Sequence, residues 1–411
     1  LSEITGTEET YVSGDYTYTL VDEYTKVKIT SYSGEDEALQ IPEQIDGKDV
    51  SIIGDSVFYN KTFIKTVIIP DTVTTIGDNA FNSCTSMTDV TFGKNVKTIG
   101  NYAFNYCTSL KSVNLPDSIE SIGDYAFRND DAITEVTFGN GIKTIGNSAF
   151  YDCDSITAVR IPSSLTYLGN SSFANCDSLK NIEINGNGAT IGNYAFEYCY
   201  NVESIVIGDG VKNINYGAFY DNRNLKSLTI SDSVETIGDY AFYNCRAFEE
   251  LALSEDLKTI GNWAFQNCIG LKNISIGKNL SSISSTAFYG DTALENIEVS
   301  EDNATYSDYD GALLNKEQTS ILLYPKSKAG DYTIPDTVTS IGDRAFENSV
   351  GLTGINTGNG VKNIGVCAFN GCTALKNAVI GDSVETIAES AFNYCTSLKS
   401  VKLPDSVESI G

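Results

Sequence analysis

Hydrophobic and polar positions along this chain repeat every 23 residues. Phe marks the repeat: it recurs at this spacing from Phe58 to Phe288 and again from Phe346 to Phe392. The gap between the two series, 58 residues, is two periods plus a 12-residue insertion. A period in this range is typical of a solenoid, in which each repeat buries its apolar face by stacking on its neighbours.

The pattern predicts that each repeat consists of a lead-in segment, a short turn and a strand, and the repeat around Phe104 illustrates these three parts. Val96–Gly100 leads into a short helical turn, and Asn101, three residues before the Phe, stands where an N-cap acceptor belongs. The Ala, Phe and Cys of the turn then fall on one helical face. Leu110–Leu115 alternates apolar and polar residues, as a half-buried strand does.

These parts predict an α/β fold. Strands that recur after returns of constant length lie parallel, and their connections are expected to be right-handed. Because helices need more width than strands, the solenoid should curve. We therefore predict a right-handed solenoid with a parallel β-sheet on its concave side and short helical turns on its outer side.

Two departures from the repeat define the predicted domains. Residues 1–40 contain the alternating segments Tyr16–Leu20 and Lys26–Thr30, which predict an N-terminal β cap. Residues 41–411 form the solenoid, with a β-hairpin insertion within 300–333 in place of the helical turn of one repeat. Asp308–Gly311 superficially resembles a Ca²⁺ loop but lacks its later acidic ligands, so a plain turn is favoured.

Composition excludes several classes of function. The net charge of −27 argues against binding to nucleic acid, which needs basic patches. The absence of an apolar run of 18 residues argues against membrane insertion. The chain has no His, which removes His-based acid–base relays and His metal ligands. No motif fixes two carboxylates at catalytic spacing, so we expect no enzyme activity and no cofactor. We also expect the protein to be a monomer.

The cysteines follow the repeat rather than a disulfide framework. Nine of the ten stand three residues after a repeat Phe, and Cys367 is the exception. Other repeats have Lys61, Asp130, Asn222 or another residue at this position, so no pairing scheme is enforced. We predict a column of buried free thiols.

The repeat unit carries a family resemblance. It reads Ile-Pro-Asp-x-Val-x-x-Ile-Gly-x-x-Ala-Phe-x-x-Cys-x-x-Leu-x-x-Val-x-Leu, which Ile69–Phe92 follows with two substitutions and Ile334–Phe346 repeats in its first half. Over residues 38–411 the chain resembles the BspA-type leucine-rich repeat family. The resemblance implies a leucine-rich repeat solenoid in an extracellular or bacterial cell-surface protein, associated with adhesion to host matrix proteins, host cells and other bacteria. It supplies no catalytic residues.

Two surfaces are candidates for partner binding. The first is the concave sheet face, where the outward strand positions vary while the core does not: Asp89, Glu135, Arg160, Asn181, Glu183, Glu250 and Asn273. The second is an aromatic stripe on the outer face of the turns: Tyr102, Tyr125, Tyr194, Tyr198, Tyr240, Tyr243 and Trp263. Tyr offers contact area at low entropy cost, but both surfaces can equally be ordinary solvated or packed surface.

The function predicted from these surfaces is non-catalytic recognition. The expected partners are host extracellular-matrix or cell-surface proteins, or glycans. The chain begins at Leu1 without Met, which we interpret as a mature fragment, and the pattern stops at Gly411 in mid-repeat. The alternative is therefore a structural spacer that presents another domain beyond Gly411.

Overall fold

The computed structural model describes residues 9–411, which consist of strands and turns without a helix. The predicted α/β class is therefore wrong, because the expected helical turns are absent. The solenoid of parallel strands is confirmed. The chain divides into two compact units, of which the first ends at Val211 and the second starts at Lys212.

The N-terminal strands lead into the repeats of the first unit. Strands β1 (Thr10–Ser13), β2 (Tyr16–Val21) and β3 (Lys26–Tyr32) form an antiparallel meander. β3 then pairs in parallel with β6 (Lys48–Ile53), which also pairs antiparallel with β5 (Gln44–Ile45). Residues 1–8 of the predicted cap lie outside the described residues, and the domain boundary at residue 40 stays a prediction.

Each repeat of the first unit contributes two parallel strands. The predicted strand, in the Leu-x-x-Val-x-Leu segment, is confirmed. We call this series the first ladder: β4 (Ala38–Gln40), β7 (Thr66–Ile68), β9 (Asp89–Thr91), β11 (Ser112–Asn114), β13 (Glu135–Thr137), β15 (Ala158–Ile161), β17 (Asn181–Ile184) and β19 (Ser204–Ile207).

A second strand, which the sequence did not predict, forms just before the repeat Gly. Its register steps by one repeat at a time, so that Thr98 pairs with Ser121 and Ile99 with Ile122. We call this series the second ladder: β8 (Thr75–Ile76), β10 (Thr98–Ile99), β12 (Ser121–Ile122), β14 (Thr144–Ile145), β16 (Tyr167–Leu168) and β18 (Ala189–Ile191).

The second unit has the same two ladders. Its first ladder comprises β21 (Ser227–Ile230), β23 (Glu250–Ala252), β25 (Asn273–Ile276), β27 (Asn296–Val299), β31 (Gly330–Thr333), β33 (Leu352–Asn356) and β35 (Asn377–Val379). Its second ladder comprises β20 (Val211–Ile214), β22 (Thr236–Ile237), β24 (Thr259–Ile260), β26 (Ser282–Ile283), β32 (Ser340–Ile341), β34 (Asn363–Ile364), β36 (Thr386–Ile387) and β37 (Ser409–Ile410).

Three antiparallel strands occupy the insertion. They are β28 (Tyr306–Tyr309), β29 (Ala312–Asn315) and β30 (Ser320–Leu323). β30 then pairs in parallel with β32, so the insertion enters the second ladder rather than replacing a turn. Asp310 and Gly311, with φ of 48° and 76°, form the tight turn between β28 and β29, as Asp-Gly does in two-residue hairpins.

Hydrogen bonds between repeats replace the predicted helical turn. The backbone N–H groups of Tyr102 and Phe104 donate to the carbonyls of Asp124 (2.9 Å) and Ala126 (2.7 Å) in the next repeat. The predicted N-cap is also wrong, because Asn101 Oδ1 accepts from the N–H of Asp124 at 2.8 Å instead of from its own turn. The backbone N–H groups of the turns therefore form hydrogen bonds with the neighbouring repeat rather than within a helix.

Left-handed residues explain why no helix forms. Tyr102 and Tyr106, two residues before and two after the Phe, have φ of 55° and 59°, a conformation that interrupts a right-handed helix. Gly217, Gly290 and Asn129 hold the same positions in other repeats with positive φ, and Gly and Asn tolerate it well. The turn is also too short for an isolated helix to be stable.

A column of stacked Phe rings forms the core of each unit. In the first unit, for example, Phe127 is fully buried, and its ring centroid lies 5.1 Å from those of Phe104 and Phe150. In the second unit Tyr324 takes a place in the column, 4.7 Å from Phe346. The burial predicted for the repeat Phe is thus confirmed, although the turn that carries it is not helical.

The cysteine column is confirmed as a series of buried free thiols, and Cys367 alone is partly exposed. Each column thiol donates to a Phe carbonyl of the preceding repeat, as Cys107 Sγ does to Phe81 O at 3.3 Å. Where Asp130 replaces Cys, its Oδ1 accepts from the N–H of Cys107 at 2.6 Å. Burial raises the pKa of Asp130 well above its usual range, because the core disfavours the charged form of the carboxyl.

Candidate functional site

The structure places the candidate sheet face of the first unit on the first ladder. Asp89, Glu135, Arg160 and Asn181 are exposed, and Glu183 is partly buried. Alternation along each strand sends these side chains outward while their neighbours enter the core. These five positions are thus accessible in the structure; that they form a partner-binding face stays a prediction.

Register brings some of these residues together and keeps others apart. Arg160 pairs with Glu183 across β15 and β17, and their charged groups lie 3.8 Å apart. Ala158 and Asn181 form the adjacent pair. Asp89 instead accepts a hydrogen bond from the Thr88 hydroxyl at 2.7 Å. The paired side chains in this region are Arg160 and Glu183, an exposed ion pair of small energetic value.

In the second unit, Glu250 and Asn273 form a matched pair. They face each other across β23 and β25, and Asn273 Nδ2 donates to Glu250 Oε1 at 2.8 Å. Glu250 is exposed and Asn273 is partly buried. The pair offers a partner both a carboxylate and an amide.

The site prediction passed over exposed apolar residues on the first ladder. Ile68 and Val206 in the first unit are 47% and 37% exposed, and Val379 in the second is 56% exposed. Each stands at an outward strand position, so an apolar residue in an otherwise polar series was the signal that could have found them. Singly exposed apolar residues are common on protein surfaces, and these three stand on separate strands rather than in a continuous patch.

The outer aromatic residues are partly buried and stack on one another. This holds for all seven predicted members of the stripe. In the first unit the rings of Tyr102 and Tyr125 stack at 4.7 Å, whereas Tyr198 tilts against Tyr200 at 5.8 Å. Tyr194 is partly buried in the same position of its turn. The stacked pair keeps one ring face of each Tyr away from solvent.

The aromatic residues of the second unit form a denser cluster. Tyr240 stacks on Trp263 at 5.0 Å and tilts against Tyr216 at 5.3 Å, and Tyr243 stacks on Tyr220 at 4.5 Å. Distances of this size are those of favourable aromatic pairs. The cluster therefore stabilises the turns that carry it, and the ring edges, more than the faces, are left for a partner.

Two acidic groups near the turns of the first unit have raised pKa values. Burial, with repulsion from Asp152, raises the pKa of Asp131. Burial also raises the pKa of Asp154, which Asp131 and Asp177 repel. Asp131, Asp154 and Asp177 hold the same position in three successive repeats, so these carboxylates repel one another along the stack.

Two classes of site are absent from the described part of the chain. No group of three or more Cys, Asp or Glu side chains between residues 9 and 411 is arranged to hold a metal ion. Nor does this part of the chain contain a helix of the length and hydropathy needed to cross a bilayer. Asp310, in the segment that was compared with a Ca²⁺ loop, instead pairs with Lys328 at 2.7 Å.

Comparison with known proteins identifies the repeat. The family model of the BspA type leucine-rich repeat region matches in six copies over residues 51–180, 97–225, 189–310 and 322–411. A search of curated proteins found no match.

Solved structures with the same kind of repeat are also similar. A leucine-rich repeat protein from Bacteroides ovatus is 23% identical with a TM-score of 0.64, covering 98% of this chain and 90% of its own. A leucine-rich cell surface protein from Faecalibacterium prausnitzii is 25% identical with a TM-score of 0.35, covering 99% of this chain and 85% of its own. The first of these similarities supports the fold alone.

Proposed function

Because the chain belongs to the BspA-type leucine-rich repeat family, we propose that it is a non-catalytic recognition protein of the bacterial surface or of secretions. It binds a host or microbial protein, or a glycan, through the sheet face of the first ladder. One observation carries this proposal: the outward positions of the first ladder differ from repeat to repeat, whereas the positions between them are apolar throughout and mostly buried.

The sheet face supports the proposal better than the aromatic stripe does. Arg160 and Glu250 are exposed and present their charged groups to solvent. The rings of Tyr102 and Tyr125, in contrast, are stacked on each other. Exposed apolar residues such as Val206 add contact area beside the charged ones, and a mixture of this kind is usual at protein interfaces.

Binding by the purified chain tests the proposal directly. The chain is titrated against matrix proteins, mucins and glycans, at low and at physiological salt. We expect at least one partner whose binding persists at physiological salt, because attraction to the net charge of −27 alone is screened there. Binding that disappears with salt, or no binding at all, would contradict the proposal and favour a structural spacer.

Matched variants locate the binding surface. The sheet-face variant combines Glu135→Lys, Arg160→Glu and Glu183→Lys, which reverse three outward charges on the strands of three successive repeats. The control variant combines Tyr102→Ser and Tyr125→Ser on the turns of the same unit. We expect at least about tenfold weaker binding for the first variant, as for loss of a central charged contact, and little change for the second. A larger loss of binding in the control variant than in the sheet-face variant would instead assign the site to the aromatic stripe.

Location has its own test. Protease treatment of intact cells should remove the protein if it is displayed on the surface, and the culture medium should contain it if it is secreted. Recovery of the intact protein only from the cytoplasm would contradict this part of the proposal.

A further inference from the structure

The regular hydrogen bonding of the turns stops at Phe288. In the preceding repeats the N–H of Phe242 donates to Ala264 O at 2.7 Å, and that of Phe265 donates to Ala287 O at 2.9 Å. The repeat after Phe288 is interrupted by the insertion. No atom between residues 9 and 411 accepts from the N–H of Phe288, although the residue is only 3% exposed. A buried backbone donor is normally paired, so this one is available to a ligand.

The second ladder stops at the same place. β26 is the last strand of this ladder before the insertion, and a side chain partly replaces the strand that would follow it. The N–H of Ile283 donates to the hydroxyl oxygen of Tyr306 at 3.1 Å, and that hydroxyl lies 3.4 Å from the carbonyl of Ser281. A tyrosine ring is narrower than a strand with its side chains, so the replacement leaves space beside it.

That space is a cavity of about 100 Å³ between β26 and the insertion. Its apolar lining consists of Ile283, Phe288, Tyr306, Leu313, Leu322 and Leu323. An engineered apolar cavity of about 150 Å³ holds benzene. The cavity here is smaller and partly open to solvent, so a single six-membered ring is the largest group that it accommodates.

Two polar side chains of the cavity already have partners, whereas the Phe288 N–H and the exposed Ser285 hydroxyl have none among residues 9–411. Ser284 Oγ donates to Asn262 Oδ1 at 2.7 Å, and Asp343 Oδ1 accepts from the N–H of Val366 at 2.8 Å. A ligand that pairs with the Phe288 N–H must carry a hydrogen-bond acceptor. The carboxylate of Asp343 at the lining repels an anion.

We propose that this cavity is a binding site for a neutral single-ring phenol. The ring fills the apolar lining, and the phenol oxygen accepts the hydrogen bond from Phe288 N–H that the interrupted stack leaves unmade. The Asp343 carboxylate disfavours aromatic carboxylates of the same size. The site is independent of the sheet face and of the partner proposed for it.

Calorimetric titration of the full chain with phenol, benzene and benzoate tests the proposal. We expect saturable binding of one phenol per chain. Benzene, which lacks the acceptor, should bind about fivefold more weakly, the usual value of one net hydrogen bond, and benzoate should bind at least about tenfold more weakly. Equal binding of benzene and phenol would overturn the role of Phe288, and no saturable binding would overturn the site.

Filling the cavity gives the matched test. Leu322→Trp places an indole in the cavity and should abolish binding, and Leu313→Phe is a second, smaller filling change. Leu403→Trp adds the same indole at an exposed Leu outside the cavity and should leave binding unchanged. Circular dichroism of all three variants checks that they are folded. Unchanged affinity in folded Leu322→Trp and Leu313→Phe would refute the assignment of the site.

Discussion

Replacement of Phe127 by Ala removes one ring from the middle of the aromatic column of the first unit. Phe127 is fully buried between Phe104 and Phe150, with interplanar angles of 1° and 7° and centroid distances of 5.1 Å on both sides. Truncation of a buried Phe to Ala costs about 3–5 kcal/mol in unfolding free energy. Two aromatic pairs account for about 1–3 kcal/mol of that loss, and the rest is lost burial and the cavity left behind.

Two further variants separate these contributions. Phe127→Leu keeps most of the buried volume but removes both ring contacts, so we expect a loss of about 1–2 kcal/mol. Phe63→Ala is the control, because Phe63 is partly buried outside the column, with Lys61 Nζ 5.8 Å from its ring centroid. For this control we expect a loss of about 1 kcal/mol or less.

Urea unfolding followed by circular dichroism gives the size of the loss, and hydrogen exchange gives its location. Repeat arrays need not unfold in one step, so the local measurement is needed. The Phe104 amide, which donates to Ala126 O at 2.7 Å, should lose more protection than the Phe58 amide, which donates to Ala80 O at 2.8 Å two repeats further away. Equal losses of stability for Phe127→Ala and Phe63→Ala would refute the reasoning.

Three other predictions concern ionisable groups. Asp131→Asn should raise the melting temperature at pH 7 but not near pH 3, because burial and repulsion from Asp152 raise the native pKa of Asp131 and make its charged form unfavourable; an equal gain at both pH values would contradict this. The pKa of Glu235, lowered to about 2 chiefly by the hydrogen bond from Lys258, should rise in Lys258→Met when titrated by NMR, and its contribution to stability, present above about pH 4.5, should fade as the pH falls towards 2. Native protein should react with a thiol reagent rapidly at Cys367 alone, because the other nine thiols are buried; rapid reaction of several thiols would contradict the column.

The core was predictable from sequence because one residue type marks each layer. The recurrence of Phe at a fixed spacing is enough to stack Phe104 on Phe127 without knowing the path of the chain between them. The same holds for the alternating strands of the first ladder, whose outward and inward positions follow from a period of two. The Phe column and the strand alternation depend only on local residue order and on the repeat period, and the sequence shows both of these directly.

The helical turn was predicted wrongly because two structures share its apolar spacing. Ala103, Phe104 and Cys107 would lie on one face of a helix, and they also point inward in the observed turn, where all three are fully buried. The difference lies in hydrogen bonds to the next repeat, such as Tyr102 to Asp124, which no local pattern encodes. The two-residue strands of the second ladder are likewise too short to show a period.

The candidate surfaces show the same limit. Exposure of Arg160 could be predicted from strand alternation, but its pairing with Glu183 depends on the register between repeats, which the fixed period supplies. The stacking of Tyr240 on Trp263 depends on side-chain orientation in the left-handed turns, where the two residues have φ of 55° and 52°. Those turns were not predicted, so the burial of the aromatic stripe could not be predicted either.

The insertion was visible in the sequence, but its structural consequence was not. In a stacked array, the backbone N–H groups of each turn are paired with carbonyl groups of the next repeat. Where the next repeat is displaced, other groups must take over. The buried amide of Asn303 donates to the carbonyls of Gly277 (2.8 Å) and Leu280 (3.1 Å), and the Tyr306 hydroxyl accepts from Ile283. Phe288 N–H is the donor that neither side chain reaches. A single interruption of a regular stack therefore creates both an unpaired donor and the space beside it, which is how such a repeat array can acquire a ligand site without any change in its repeating unit.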